Sequence, residues 1–228
     1  MQQNKKQREV TGVTGMTGQG KSVWSRRYMN GFKRLFVFDP LGDADVEYIT
    51  TDRLIEKYDN GELVNGKSFR LGTLSSDDIP FFTSISFIVG SNLFCVEECA
   101  IAFENSRGNL DSWWRELIFL GRHQSVSLLF TAQRSVSIPI AVRSQFTRFV
   151  TFRQHESNDV GWLENYFGDR LNEVSGLQPL ECLDFNKGEI DRYSIPYDYP
   201  KQKHLITEKG SSIEELNLNS IGGFDDSD

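Results

Sequence analysis

The sequence predicts one α/β domain: a mainly parallel sheet with helices on both faces, finished by a C-terminal hairpin. Three observations predict it. Short, largely apolar runs within 34–38, 92–96 and 125–130 alternate with helical patterns, and such runs are how strands buried on both faces read. A glycine-rich turn, Gly15-Met16-Thr17-Gly18-Gln19-Gly20-Lys21-Ser22, lies between a β-prone run and a helical pattern. The 228 residues suffice for one substantial domain and are too few for two comfortable ones.

Taken in order, Glu9, Val10, Thr11 and Val13 read as the first strand, and a helix runs from Lys21 to about Asn30, stopped by Gly31. Residues 34–38 form a buried strand closed by Asp39-Pro40. Asp39 falls at the strand's C-terminal end, where open α/β sheets place ligand-facing residues; a simple turn former is the competing reading. The more polar stretch 41–74 carries turn signals at Asp59-Asn60-Gly61 and Asn65-Gly66, with a short helix around 53–58 and a strand near 69–71. Ser75-Ser76-Asp77-Asp78 is a capping pattern for a helix reaching Val89, with Pro80 in its first turn.

Residues 92–96 read as the next strand, and a helix over 110–121 carries Trp113, Trp114, Leu117, Ile118 and Leu120 at helical spacing. The two tryptophans at that spacing are core residues rather than a platform for stacking bases. After the strand at 125–130 come a helical turn at 138–144, a strand at 146–152 and a helix from 156 to about 173. Residues 181–185 and 189–194, joined by Asn186-Lys187-Gly188, form the hairpin. The domain is therefore expected over 1–196, with 197–228 as a partly disordered tail that has lost periodicity.

Composition narrows the function classes. The net charge of −7 argues against a protein that coats nucleic acid by bulk electrostatics, and leaves room for local basic loops such as Arg107-Gly108. Cys95, Cys99 and Cys182 form no C-x-x-C pair, and His123, His155 and His204 are scattered; neither a disulfide framework nor a zinc site is expected. The start of the chain is polar and basic, with no apolar leader, and the apolar span 79–96 is interrupted by polar residues. No membrane insertion is expected, and the setting is reducing.

The chemistry starts at the glycine-rich turn, which reads G-x-x-x-x-G-K-S. Glycines there let successive backbone N–H groups face a phosphate chain, and the following helix adds its positive end. The nucleotide-binding set is Gly15, Met16, Thr17, Gly18, Gln19, Gly20, Lys21, Ser22 and Val23, with Lys21 on the β/γ-phosphates and the Ser22 hydroxyl on Mg²⁺. The second informative stretch is Phe94-Cys95-Val96-Glu97-Glu98. Apolar residues followed by two carboxylates match the strand facing the phosphate loop in P-loop ATPases. Glu97 belongs to the Mg²⁺ shell, reaching it through water if necessary, and Glu98 is the candidate general base. Most such proteins have Asp where Glu97 stands. Two solvated glutamates at a strand end is the plain alternative. Strand–helix alternation around such a loop describes a single RecA-like P-loop NTPase domain.

The phosphate loop, Phe38-Asp39-Pro40, Glu97-Glu98, Gly121-Arg122-His123, Thr131-Ala132-Gln133-Arg134 and Val142-Arg143-Ser144-Gln145 occur in an order and rough spacing that together resemble the HerA–FtsK superfamily of ring-forming DNA translocases. The short single-domain format is most similar to the genome-packaging ATPases of tectivirus-type, membrane-containing viruses. The resemblance spans about 10–153; the region beyond it carries no matching motif. It implies that Gln133 is the sensor glutamine at the γ-phosphate or its attacking water, and that Arg122 is the arginine finger inserted by a neighbouring subunit. A helix C-terminal cation is the other reading of Arg122, and a buried strand-end amide that of Gln133. Arg134, Arg143 and Arg148 stand as alternative fingers or surface charges.

Carried through, the resemblance implies an ATP- and Mg²⁺-dependent motor that moves double-stranded DNA into a preformed capsid. It would act as a homo-oligomeric ring, typically a hexamer, with ATP hydrolysed between subunits. Its partners would be DNA and capsid or packaging-vertex proteins, and its locations the host cytoplasm during assembly and the virion vertex. Other readings are a conjugative or partitioning pump, an ATP-binding structural virion protein, and a small-molecule P-loop phosphotransferase.

Overall fold

The computed structural model describes residues 8–64, 66–104 and 109–197. The Arg107-Gly108 loop and the tail beyond Tyr197 lie outside them. The described strands are β1 (Val10–Thr14), β2 (Arg34–Phe38), β3 (Glu47–Tyr48), β4 (Phe69–Thr73), β5 (Leu93–Val96), β6 (Ser127–Ala132), β7 (Arg148–Thr151), β8 (Glu181–Asn186) and β9 (Glu189–Ser194). They form one sheet in the order β3-β4-β2-β5-β6-β1-β7-β8-β9. Every pairing from β3 to β7 is parallel, and β7-β8-β9 is antiparallel.

The apolar runs are continuous because both faces of the strands are covered. Phe36 and Phe38 belong to one core layer, whereas Leu35 and Val37 belong to the opposite one, as the period of two along a strand requires. The first layer packs under α2 (Thr51–Asp59), α3 (Ile79–Val89) and α5 (Ser112–Arg115), through Leu54, Phe82 and Trp114. The second packs under α1 (Lys21–Met29), through Val23, Trp24 and Met29. At the hairpin end, α7 (Ser157–Phe167) and α8 (Leu171–Val174) enclose Phe149 and Leu183 with Leu163, Phe167 and Val174. Trp114 is 1% exposed and meets Phe94, Phe103 and Phe130, so it is core, as its spacing predicts. Cys95, Cys99 and Cys182 are buried free thiols.

Several boundaries differ from the sequence reading. The helix expected over 110–121 starts at Ser112, widens to π geometry over Glu116–Leu120 and tightens to a 3₁₀ turn over Gly121–Gln124. The helix expected from 156 breaks at Gly168, whose φ of 47° leaves the helical region. A two-residue edge strand, β3, and the turn α4 (Cys99–Ala102) have no sequence pattern long enough to announce them. The hairpin is as read: Lys187 and Gly188 have φ of 52° and 89°, the positive pair that a two-residue hairpin loop requires.

Candidate active site

The C-terminal ends of the parallel strands converge on the glycine-rich loop after β1. Gly15 has φ 151°, and a Cβ on it would lie 2.5 Å from Cβ of Phe152. Gly20 has φ 119°, with Leu180 and Phe152 each 3.0 Å from where its Cβ would be. Only glycine fits either position. Met16 N–H is tied to Arg153 C=O at 3.0 Å. By contrast, the N–H groups of Gly18, Gly20, Lys21 and Ser22 meet no acceptor among the described residues. Unsatisfied N–H groups at the start of α1, with the helix's positive end behind them, are the ingredients of an anion cradle.

Lys21 lies across this loop, its Nζ donating to Gly15 C=O at 2.7 Å and Met16 C=O at 3.1 Å. Burial lowers its pKa, and the carboxylates of Glu98 and Glu97 oppose that shift. Ser22 is exposed, and Val23 turns its side chain into the core, so only its backbone faces the loop side.

The acidic pair sits one strand over from β6 and two from β1. The parallel register places Val96 beside Phe130, which brings Glu97 and Glu98 level with Thr131 and Ala132. Thr131 Oγ1 accepts from Glu98 N–H at 3.2 Å and donates to Glu97 at 3.5 Å. Gln133 then joins the halves of the site: its Nε2 donates to Glu98 at 3.4 Å and its Oε1 accepts from the Thr17 hydroxyl at 3.2 Å. Gln154 Nε2 steadies the Gln133 carbonyl at 3.2 Å. Gln133 is exposed, which rules out the buried strand-end amide. Glu98 holds a left-handed φ of 64° at the head of α4, a conformation that non-glycine residues adopt at a cost and that aims the side chain off the strand path.

Burial, reinforced by the nearby Asp39 carboxylate, pushes Glu97 up to about 7 from an ordinary 4.5, against the pull of Arg26 and Lys21. The folded chain therefore binds this proton more tightly than the unfolded chain. Stability is lost as pH rises from the ordinary value through the folded one, and levels off above it. Glu97→Gln removes that penalty. In ligand-free protein at pH 8 it is expected to stabilise by about 1–2 kcal/mol and to raise Tm by about 2–6 °C. At pH 4 the gain should nearly vanish, because the carboxyl is then largely protonated in the folded and the unfolded chain alike. A Tm difference that is the same at both pH values would refute this account.

Asp39 is not ligand-facing. It is 2% exposed and accepts from the N–H groups of Leu41, Asp43 and Ala44 and from the Tyr48 hydroxyl, so the turn-former reading is the right one. Arg122 is not brought to the site at all. It is exposed in the 3₁₀ turn before β6, beside His123. Gln133 follows the other end of that six-residue strand, a separation of about 20 Å.

Two of the competing arginines are committed to carboxylates, and the third stacks on a ring. Arg148 grips Asp184 with two bonds of 3.0 and 2.6 Å and lies 5.0 Å over the Trp24 ring. Arg134 pairs at 3.0 Å with Asp159, which is fully buried, and Arg143 sits 4.8 Å over Trp162.

Among the described residues no three His, Cys, Asp or Glu side chains converge as a metal site. The donor set Ser22 hydroxyl plus Glu97 fits Mg²⁺, which takes few protein ligands and completes its shell with water and substrate phosphates. Sequence reasoning assigned no role to Thr131, Gln154 or Leu180. Thr131 lay inside a quoted motif; for Gln154 no signal existed.

The fold is similar to that of the genome-packaging NTPase B204 from Sulfolobus turreted icosahedral virus 2. Its sulfate complex is 14% identical over 85% of this chain and 99% of that chain, with a TM-score of 0.67. Its AMPPCP complex is 15% identical over 84% and 99%, with a TM-score of 0.65. VirB4 of Thermoanaerobacter pseudethanolicus is 9% identical over 86% and 91%, with a TM-score of 0.59. The architecture is a single RecA-like P-loop domain. No protein-family model matches the sequence, and no curated protein matches it.

Proposed function

We propose that this chain is an ATPase of the HerA–FtsK type that packages double-stranded viral DNA, working as a ring with ATP hydrolysed between subunits. The carrying observation is the hydrogen-bonded chain Thr17–Gln133–Glu98, which joins the anion cradle to the acidic strand end. The likeness in fold to B204, over 99% of that chain, supports the packaging role within the superfamily.

In this reading the free N–H groups of Gly18, Gly20, Lys21 and Ser22 hold the β- and γ-phosphates. Lys21 exchanges its loop carbonyls for phosphate oxygens. Glu98 accepts the proton of the attacking water, and Gln133 orients that water through its amide without titrating. Mg²⁺, held by Ser22 and by Glu97 through water, would offset charge on the phosphates. Arg122 is too far from its own cradle to act there, and serves the cradle of the next subunit in the ring. Partners are DNA and capsid-vertex proteins, and the setting is virus assembly; no described helix is long and apolar enough to cross a membrane.

The test is Mg²⁺-dependent ATP hydrolysis measured against protein concentration, with and without double-stranded DNA. Turnover per subunit should rise with concentration as rings form, and rise further with DNA. Turnover indifferent to both would overturn the motor and direct the search to a small-molecule phosphate acceptor.

A further inference from the structure

The chain beyond Arg153 carries no recognised motif, yet it reaches the phosphate loop at Leu180. Gln178-Pro179-Leu180-Glu181 is a tight turn closed by Glu181 N–H to Gln178 C=O at 2.9 Å. Proline at its second position and a φ of 69° at Leu180, its third, make it a type II turn. That third position favours glycine, because any Cβ is crowded in the left-handed region. Here it holds leucine.

What the leucine does there is visible on both sides of its backbone. Its N–H donates to Gln19 C=O at 2.7 Å, in the middle of the phosphate loop, while its own C=O accepts from Ile195 N–H at 2.9 Å at the end of the hairpin. Its side chain closes over Gly20, with Cδ2 3.0 Å from the Cβ position there, and packs on the layer containing Val23 and Trp24. A peptide unit is planar and trans, so its C=O and N–H point in opposite directions. Fixing the Gln19 C=O toward Leu180 therefore fixes the Gly20 N–H away from it, and that N–H is one of those left without a protein acceptor.

We infer that Leu180 is a positioning residue for nucleotide phosphate: it holds the Gln19–Gly20 peptide with the N–H presented to the ligand. The inference rests on the nucleotide reading above. Preorganised donors need no reordering when the anion arrives, so loosening them weakens binding without weakening the fold.

Leu180→Gly separates those two effects. It keeps the N–H and suits the turn, but uncovers Gly20, so the bond to Gln19 C=O opens to water and packing no longer holds the peptide. Calorimetric titration with Mg²⁺–AMPPCP should show binding weaker by about tenfold, near 1.4 kcal/mol, while the Tm of ligand-free protein is no lower than wild type. Leu180→Asn also tolerates the conformation and cannot fill the space over Gly20; it decides the matter if the glycine variant does not fold. Wild-type affinity in the variant that folds overturns the inference. So does weaker binding that comes with a lower Tm, since the side chain would then be ordinary packing. If wild type itself fails to bind Mg²⁺–AMPPCP, the nucleotide reading falls and the inference with it.

Discussion

Arg122→Ala is expected to lower DNA-stimulated ATP turnover by about 10³–10⁵-fold, the scale of an arginine finger, with Mg²⁺–AMPPCP affinity unchanged. The geometry makes this a sharp test. About 20 Å of β6 separates Arg122 from Gln133, so the guanidinium cannot reach its own cradle by a rotamer change. Its effect must pass between subunits. Mixing Arg122→Ala with Lys21→Ala, each inactive alone, should therefore restore part of the turnover. In mixed rings an intact loop meets an intact arginine at some interfaces. No recovery on mixing, or full activity in Arg122→Ala alone, would remove Arg122 from the mechanism. In the second case Arg143 becomes the arginine to test, because Arg148 and Arg134 are committed to the carboxylates of Asp184 and Asp159.

Glu98→Gln should lower turnover by about 10²–10⁴-fold, the range for loss of a general base. Nucleotide affinity should be retained or tightened, because one negative charge near the phosphates disappears. Glutamine preserves the shape and the contact with Gln133 Nε2, now 3.4 Å from the carboxylate. Single-turnover hydrolysis at saturating ATP isolates the chemical step from binding. A Glu98→Gln protein within about threefold of wild type, well under the loss expected of a base, would move the role elsewhere. Glu97, which burial pushes up to about 7, would then be the carboxylate to test.

Much of the fold was readable in order along the chain. Buried parallel strands announce themselves as unbroken apolar runs, and 35–38 and 93–96 proved to lie in central strands of the sheet. The loop was readable because its glycines are demanded by local backbone angles. The acidic pair and Gln133 were readable as strand-end residues, and the β5–β6 register then brought them together. Less readable were changes within a helical pattern. Nothing local in 110–121 distinguishes the π stretch Glu116–Leu120 from ordinary helix, and its Leu117 and Ile118 are buried in the core as an ordinary helix would bury them.

The sequence by itself determined the phosphate loop, the strand–helix order and the identity of the acidic strand end. These depend on glycine backbone freedom and on the period of apolar residues, both of which are local. Only the tertiary structure decided what each charged or strained residue is for. It made Asp39 the hub of a turn, committed Arg148 to Asp184 and Arg134 to Asp159, and left Arg122 exposed at the end of β6 opposite the cradle. It also brought Leu180 onto Gln19, 161 positions earlier by the sequence numbering. A side chain's partner is set by which strands are neighbours in the sheet, and no pattern along the chain carries that information across such separations.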